Sequence, residues 1–137
     1  MNFYDNAVDV HETAEILYEN GKYRMSVYNS CLAMELYLKS KLILTDDGVS
    51  FELSHDVINI FRCINKKFPS SKELFKTVNY CRKYFNESRY PAFGTEVYTN
   101  EFASEFLGYV EDIKNYIDNE CIITDDDLKK KFNRKDK

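Results

Sequence analysis

The chain contains no tryptophan, and only 4 glycines and 2 prolines in 137 residues. So few breakers leave little material for the many turns of a sheet protein. Together with 44% apolar and 31% charged residues, this scarcity favours long amphipathic helices. No apolar run approaches the roughly 20 residues needed to span a bilayer. The start, Asn2-Phe3-Tyr4-Asp5, lacks the basic residues and apolar stretch of a secretion signal. No two cysteines form a C-x-x-C pair; Cys31, Cys63, Cys81 and Cys121 are dispersed, which reads as small buried apolar side chains in a reducing compartment. A soluble, cytoplasmic protein with no membrane contact is expected. A basic surplus is also missing. The net charge of −4 argues against a general nucleic-acid coat, while leaving room for a local basic patch.

Motifs of common chemistries are absent too. There is no glycine-rich phosphate loop, no serine nucleophile elbow and no cysteine–histidine pair suggested by spacing. His11-Glu12 lacks the second histidine of a zinc-protease helix, and Asp125 to Asp127 lack the spaced ligands of a calcium loop. No metal and no resident cofactor are expected.

What is present is apolar periodicity. Ala7, Val10, Ala14, Leu17 and Tyr18 share one face of a helix from about Tyr4 to Asn20, which Gly21 ends. A second and most apolar segment runs from Tyr23 to about Leu44, through Val27, Cys31, Leu32, Leu36, Leu38 and Leu42, and belongs at the centre of the fold. Asp46-Asp47-Gly48 breaks it. A third begins after Ser54 as N-cap, with Asp56 in the first turn, and ends at Pro69. Ser70-Ser71-Lys72-Glu73 matches a capping box opening a fourth segment, which closes at Arg89-Tyr90-Pro91. The fifth starts near Thr99 or Asn100 and reaches about Glu120, with Phe102, Ala103, Phe106, Leu107, Val110, Ile113 and Ile117 in one stripe.

Such segments pack most simply as an all-α, up-and-down antiparallel bundle of four to five helices over residues 1–122. At this length the bundle buries roughly 70% of the surface its unfolded chain exposes. Residues 123–137 form a charged C-terminal tail. It is expected as a short helix capped by Thr124 or as disordered chain. The 11 tyrosines and 10 phenylalanines exceed what one small core needs, so part of the surplus is expected at a homodimer interface.

The candidate site lies where the fourth segment ends. An arginine at a proline-stopped helix exit can grip a phosphate with two parallel hydrogen bonds. Returning antiparallel, the fourth segment brings Tyr84 to Arg89 level with Ser54, His55 and Asp56, and the second arrives with Lys39 and Lys41. Lys39, His55, Arg89 and Tyr90 are therefore expected to converge. Arg89 would bind phosphate, Lys39 or Lys41 would add charge, and Tyr90 would stack on a base. The helix N-terminus beside His55 would favour the same anion. Arg89 pairing with Glu35, Asp56 or Glu87 is the structural alternative, and Glu35–Lys39 reads as a partly buried helix pair.

Four stretches taken in order resemble a HEPN domain over about Asp9 to Glu120. They are Gly21-Lys22-Tyr23, Asn29 to Lys39 with its Glu35-x-x-x-Lys39 face, Ser54-His55-Asp56, and Ser88-Arg89-Tyr90-Pro91. The resemblance implies a helical bundle, commonly dimeric, found alone or beside a nucleotidyltransferase partner in toxin–antitoxin and defence systems. RNA-cutting members carry an arginine followed four to six residues later by histidine. Here no histidine follows Arg89 through Tyr98. The Arg-Tyr-Pro branch resembles the nucleotide-binding or accessory type. A non-catalytic nucleotide- or partner-binding module is the first expectation. A metal-independent RNase using His55 and Arg89 on RNA is the alternative, and a purely structural interaction protein is the third.

Overall fold

The computed structural model describes residues 2–46, 48–51, 54–90, 94 and 96–122. Pro91, residues 92, 93 and 95 of the loop it opens, and the tail 123–137 with its expected Thr124 cap lie outside them. The described residues form five α-helices: α1 (Phe3–Glu19), α2 (Tyr23–Lys39), α3 (Val57–Lys67), α4 (Lys72–Arg89) and α5 (Asn100–Asn119). Two 3₁₀ turns, Leu42–Leu44 and Gly48–Phe51, lie between α2 and α3. Among the described residues there is no strand, and no helix is long and apolar enough to cross a membrane.

Side-chain oxygens decide where the helices begin. Asn2 accepts from the Asp5 amide, Asp56 from Ile58 and Asn59, Ser71 from Leu74, and Thr99 from Phe102, satisfying donors that the first turn leaves open. Two starts differ from the sequence reading. Asp56, not Ser54, caps α3, while the Ser54 hydroxyl accepts from the Asp56 amide one step earlier. Ser71, not Ser70, caps α4, because Asn65 Oδ1 already takes both the amide and the hydroxyl of Ser70, each at 2.7 Å. Glu73 is therefore out of capping-box register, and it pairs with Lys76 instead.

Gly21, at φ 73°, ends α1. Its amide bonds to the Tyr18 carbonyl and that of Lys22 to Leu17, the paired bonds of a left-handed helix stop. α2 ends earlier than expected. The Ser40 amide is shared between the Leu36 and Tyr37 carbonyls, and the Ser40 hydroxyl donates to Tyr37 as well. The chain thus tightens into 3₁₀ geometry before Leu44.

As its composition suggested, α2 is central and packs against each of the other four α-helices. Small residues allow α1 close: Ala7, Ala14, Ser26, Ser30 and Ala33 are all fully buried, and Ser26 donates to the Ala14 carbonyl. Antiparallel register is visible in residue pairs. Tyr4 meets Asp118 and Tyr18 meets Asn100 across α1 and α5. Arg24 meets Ser88 and Tyr28 meets Phe85 across α2 and α4. Asp56 meets Arg82 and Phe61 meets Phe75 across α3 and α4. Ile60, Phe61, Ile64, Phe106, Val110, Ile113 and Ile117 are fully buried, each worth about 1.5–3 kcal/mol of transfer free energy. Part of the aromatic surplus is used inside the monomer. Tyr80, Tyr84, Phe102, Phe106 and Tyr109 form a run of edge-on and tilted rings between α4 and α5.

Candidate functional site

A cavity of about 270 Å³ opens between α2, the start of α3, and α4. Cys31, Met34, Val57, Cys81 and Phe85 give it apolar walls, and Glu35, His55, Asp56, Arg82 and Asn86 supply polar groups. Glu35 projects from the most buried helix and is only 3% exposed. Lys39, one turn on and 5% exposed, places its ammonium 3.5 Å from Glu35 Oε2. The pair is buried, as the apolar face around it predicted, so each charge compensates the other where water does not. The same carboxylate oxygen lies 3.3 Å from His55 Nδ1, although the His55 side chain is 79% exposed. Glu35 therefore links a buried ammonium to a surface imidazole.

α4 contributes the opposite wall. Arg82 lies 3.7 Å from Asp56 Oδ2. Asp56 is simultaneously the α3 cap, and its Oδ1 accepts from Ile58 and Asn59. Two of the first-turn donors beside His55, those of Ile58 and Asn59, are thus already taken by a carboxylate of the chain itself, which competes with an external anion at that helix end.

Of the four residues expected to converge, Lys39 and His55 meet on Glu35. Arg89 and Tyr90 meet each other: the guanidinium lies 5.1 Å from the Tyr90 ring centroid, and Tyr90 is 71% exposed. Arg89 follows Arg82 by two helical turns on the same face, roughly 10 Å farther along the axis. It sits beside the N-terminal end of α2, where Arg24 Nη1 holds the buried Ser88 carbonyl at 2.7 Å. The level expected for α4 opposite His55 was right to within a turn, but the arginine found there is Arg82.

Sequence reading missed Arg82 and Arg24. The seven-residue spacing of Arg82 and Arg89 was available as a signal that both share a face. Nothing local marked Arg24, whose partner is a backbone carbonyl in another helix.

The cysteines behave as packing residues. Burial pushes the Cys31 thiol well up, with the adjacent Cys81 adding to the effect, and it pushes Cys121 up to about 11. All four are free thiols.

No curated protein and no solved structure matches the chain. The family model described as the HEPN domain matches residues 2–120, covering all five helices of the bundle, and the chain belongs to the HEPN domain family.

Proposed function

We propose that this protein is a non-catalytic nucleotide-binding or partner-binding module. It would act in the cytoplasm as a homodimer, beside a nucleotidyltransferase-type partner of a toxin–antitoxin or defence system. HEPN domains are in general nucleotide- or RNA-binding or RNase-like. The observation that carries the nucleotide reading is the cavity of about 270 Å³ with a buried carboxylate at Glu35 and an arginine at its rim. That volume lies just below the roughly 300–1,000 Å³ of typical small-molecule sites, so it suits a base or nucleoside rather than a whole triphosphate. In this reading Met34, Val57 and Phe85 flank the base, and the Glu35 carboxylate accepts from its amino edge. Phosphates lie outside, along the α4 face that carries Arg82 and then Arg89, and arginine forks suit phosphate oxygens. Tyr90 offers a ring for stacking.

Thermal unfolding with millimolar nucleoside triphosphate, in EDTA, tests this. Any ligand that prefers the folded state must raise the melting temperature. The shift should appear in the wild type and shrink in Arg82→Ala and Arg89→Ala. No shift, or one unchanged in the double variant, overturns the nucleotide site.

One observation favours a second reading. An exposed imidazole held by a buried carboxylate, as His55 is by Glu35, is an arrangement suited to proton transfer. A metal-independent RNase using His55 and Arg89 would cleave labelled RNA in EDTA and lose that activity in both His55→Ala and Arg89→Ala. Protein that neither binds nucleotide nor cleaves RNA would be a structural interaction protein.

A further inference from the structure

On the edge of the bundle formed by α1 and α5, His11 is 5% exposed. Its Nε2 lies 3.3 Å from Glu15 Oε1, one turn along α1, and 3.2 Å from Glu111 Oε1 of α5. Yet Nε2 is buried and makes a hydrogen bond to neither, so both carboxylate oxygens stand off the direction in which its N–H would point. The other ring nitrogen, Nδ1, is 3.0 Å from the Tyr37 hydroxyl. A buried imidazole nitrogen flanked by two acceptors and bonded to neither is costly as a free group.

We propose that His11, Glu15 and Glu111 form a binding site for one divalent transition-metal ion, best matched by Zn²⁺. Three ligand atoms, one from each residue, lie within 4.8 Å of one another. A tetrahedral zinc centre with bonds of 2.0–2.1 Å places its ligand atoms about 3.3 Å apart, which agrees with the two nitrogen–oxygen separations. The ion would occupy the lone-pair direction of Nε2 and draw the two carboxylates onto itself. Nδ1–H would then donate to the Tyr37 oxygen, the second contact that commonly fixes the tautomer of a metal-bound histidine. Imidazole with two carboxylates selects transition metals over Mg²⁺ or Ca²⁺, which prefer oxygen alone. The carboxylate side chains are 51% and 53% exposed, leaving a path for the ion and a solvent molecule as fourth ligand.

The site was invisible to local spacing, which led to the expectation of no metal. Its third ligand arrives only through the antiparallel α1–α5 register, the same register that joins Tyr4 to Asp118. A bound ion would pin those two helices together, independently of any nucleotide at the α2–α4 cavity.

Calorimetric titration of Zn²⁺ into chelator-stripped full-length protein tests the site, with Glu15→Gln and Glu111→Gln beside it. Both substitutions are neutral isosteres at half-exposed positions and leave the fold intact, unlike a change at buried His11. The expected result is one ion per chain with micromolar affinity, weakened at least about tenfold in each variant. Co²⁺ should give visible bands of a four-coordinate nitrogen–oxygen site without thiolate charge transfer. Absence of binding up to millimolar Zn²⁺ overturns the proposal. So does affinity unchanged in both variants, or a thiolate band assigning the metal to the cysteines.

Discussion

His55 Nδ1 lies 3.3 Å from Glu35 Oε2, yet the His55 side chain is 79% exposed and that of Glu35 only 3%. The contact joins the surface to a charge that sits inside the bundle beside Lys39. These partners should differ sharply in their contribution to stability. Lys39→Met leaves the Glu35 carboxylate without its buried counter-charge and should cost about 3 kcal/mol in urea unfolding. Adding Glu35→Gln should restore most of that loss, since removing both charges removes the penalty. His55→Ala should leave the unfolding midpoint near wild type, because an exposed partner contributes little. A Lys39→Met variant as stable as wild type would show that water reaches the pair.

The parts of the molecule that were readable in the sequence are those fixed by local periodicity. The stripe of α5, from Ala103 through Phe106, Val110, Ile113 and Ile117, is buried as spacing required, and Glu35–Lys39 was visible as a four-residue pair. The caps of α3 and α4 were each mislaid by a residue or two. At α4 two serines were adjacent and Asn65 withdrew Ser70 from capping, while at α3 the Ser54 hydroxyl accepts from the Asp56 amide and leaves Asp56 as the cap. The site was legible only in part because the level of α4 against α3 depends on tertiary packing, such as Phe61 against Phe75. The level of α4 was read to within a turn, but the arginine that meets Asp56 there is Arg82, two helical turns before the Arg89 that was chosen. His11 and Glu111 share a site through helix register alone, which no local pattern records.

Thiol reactivity should follow burial. Cys31 and Cys121 are buried, with thiols raised by that burial, and Cys81 is buried beside Cys31. Cys63 is half-buried, next to the Thr45 hydroxyl. Alkylation of folded protein at pH 8, followed by peptide mass mapping, should modify Cys63 first, at least about tenfold faster than the other three, since the accessible thiolate is the nucleophile. All four should react alike in denaturant. Early labelling of Cys31 would mean that the floor of the α2–α4 cavity opens readily.

Two glycines should respond oppositely to alanine. A β-carbon at Gly48 would collide with the Leu42 carbonyl and the Thr45 hydroxyl, and Thr45 is itself tied to Leu42. Gly48→Ala should destabilise the protein by about 1–3 kcal/mol, as overpacking does. Gly108 lies inside α5 with open space around the added carbon. Gly108→Ala should stabilise by about 0.5–1 kcal/mol, through the helix preference of alanine and the lower entropy of the unfolded chain. Paired urea titrations check both signs. A neutral Gly48→Ala would indicate that the segment between α2 and α3 shifts easily.

The α1–α5 edge should carry an acid-sensitive contribution at Asp118. Burial alone would raise its carboxyl, but hydrogen bonds from the Lys114 ammonium and the Tyr4 hydroxyl outweigh that and hold it below its ordinary value. A group that binds its proton less readily when folded stabilises the native state above its unfolded pKa. It loses that stabilisation as pH falls through the lower folded value. The melting temperature of the wild type should therefore fall between pH 5 and pH 3 by more than that of Asp118→Asn, which has no carboxylate to protonate. At pH 7 the order should be the reverse of any advantage gained in acid, with the wild type the more stable. Parallel melting curves across this range would mean that Tyr4 and Lys114 do not hold the carboxylate in solution, and that α1 is fastened to α5 by packing and by its other polar contacts, such as Tyr18 with Asn100.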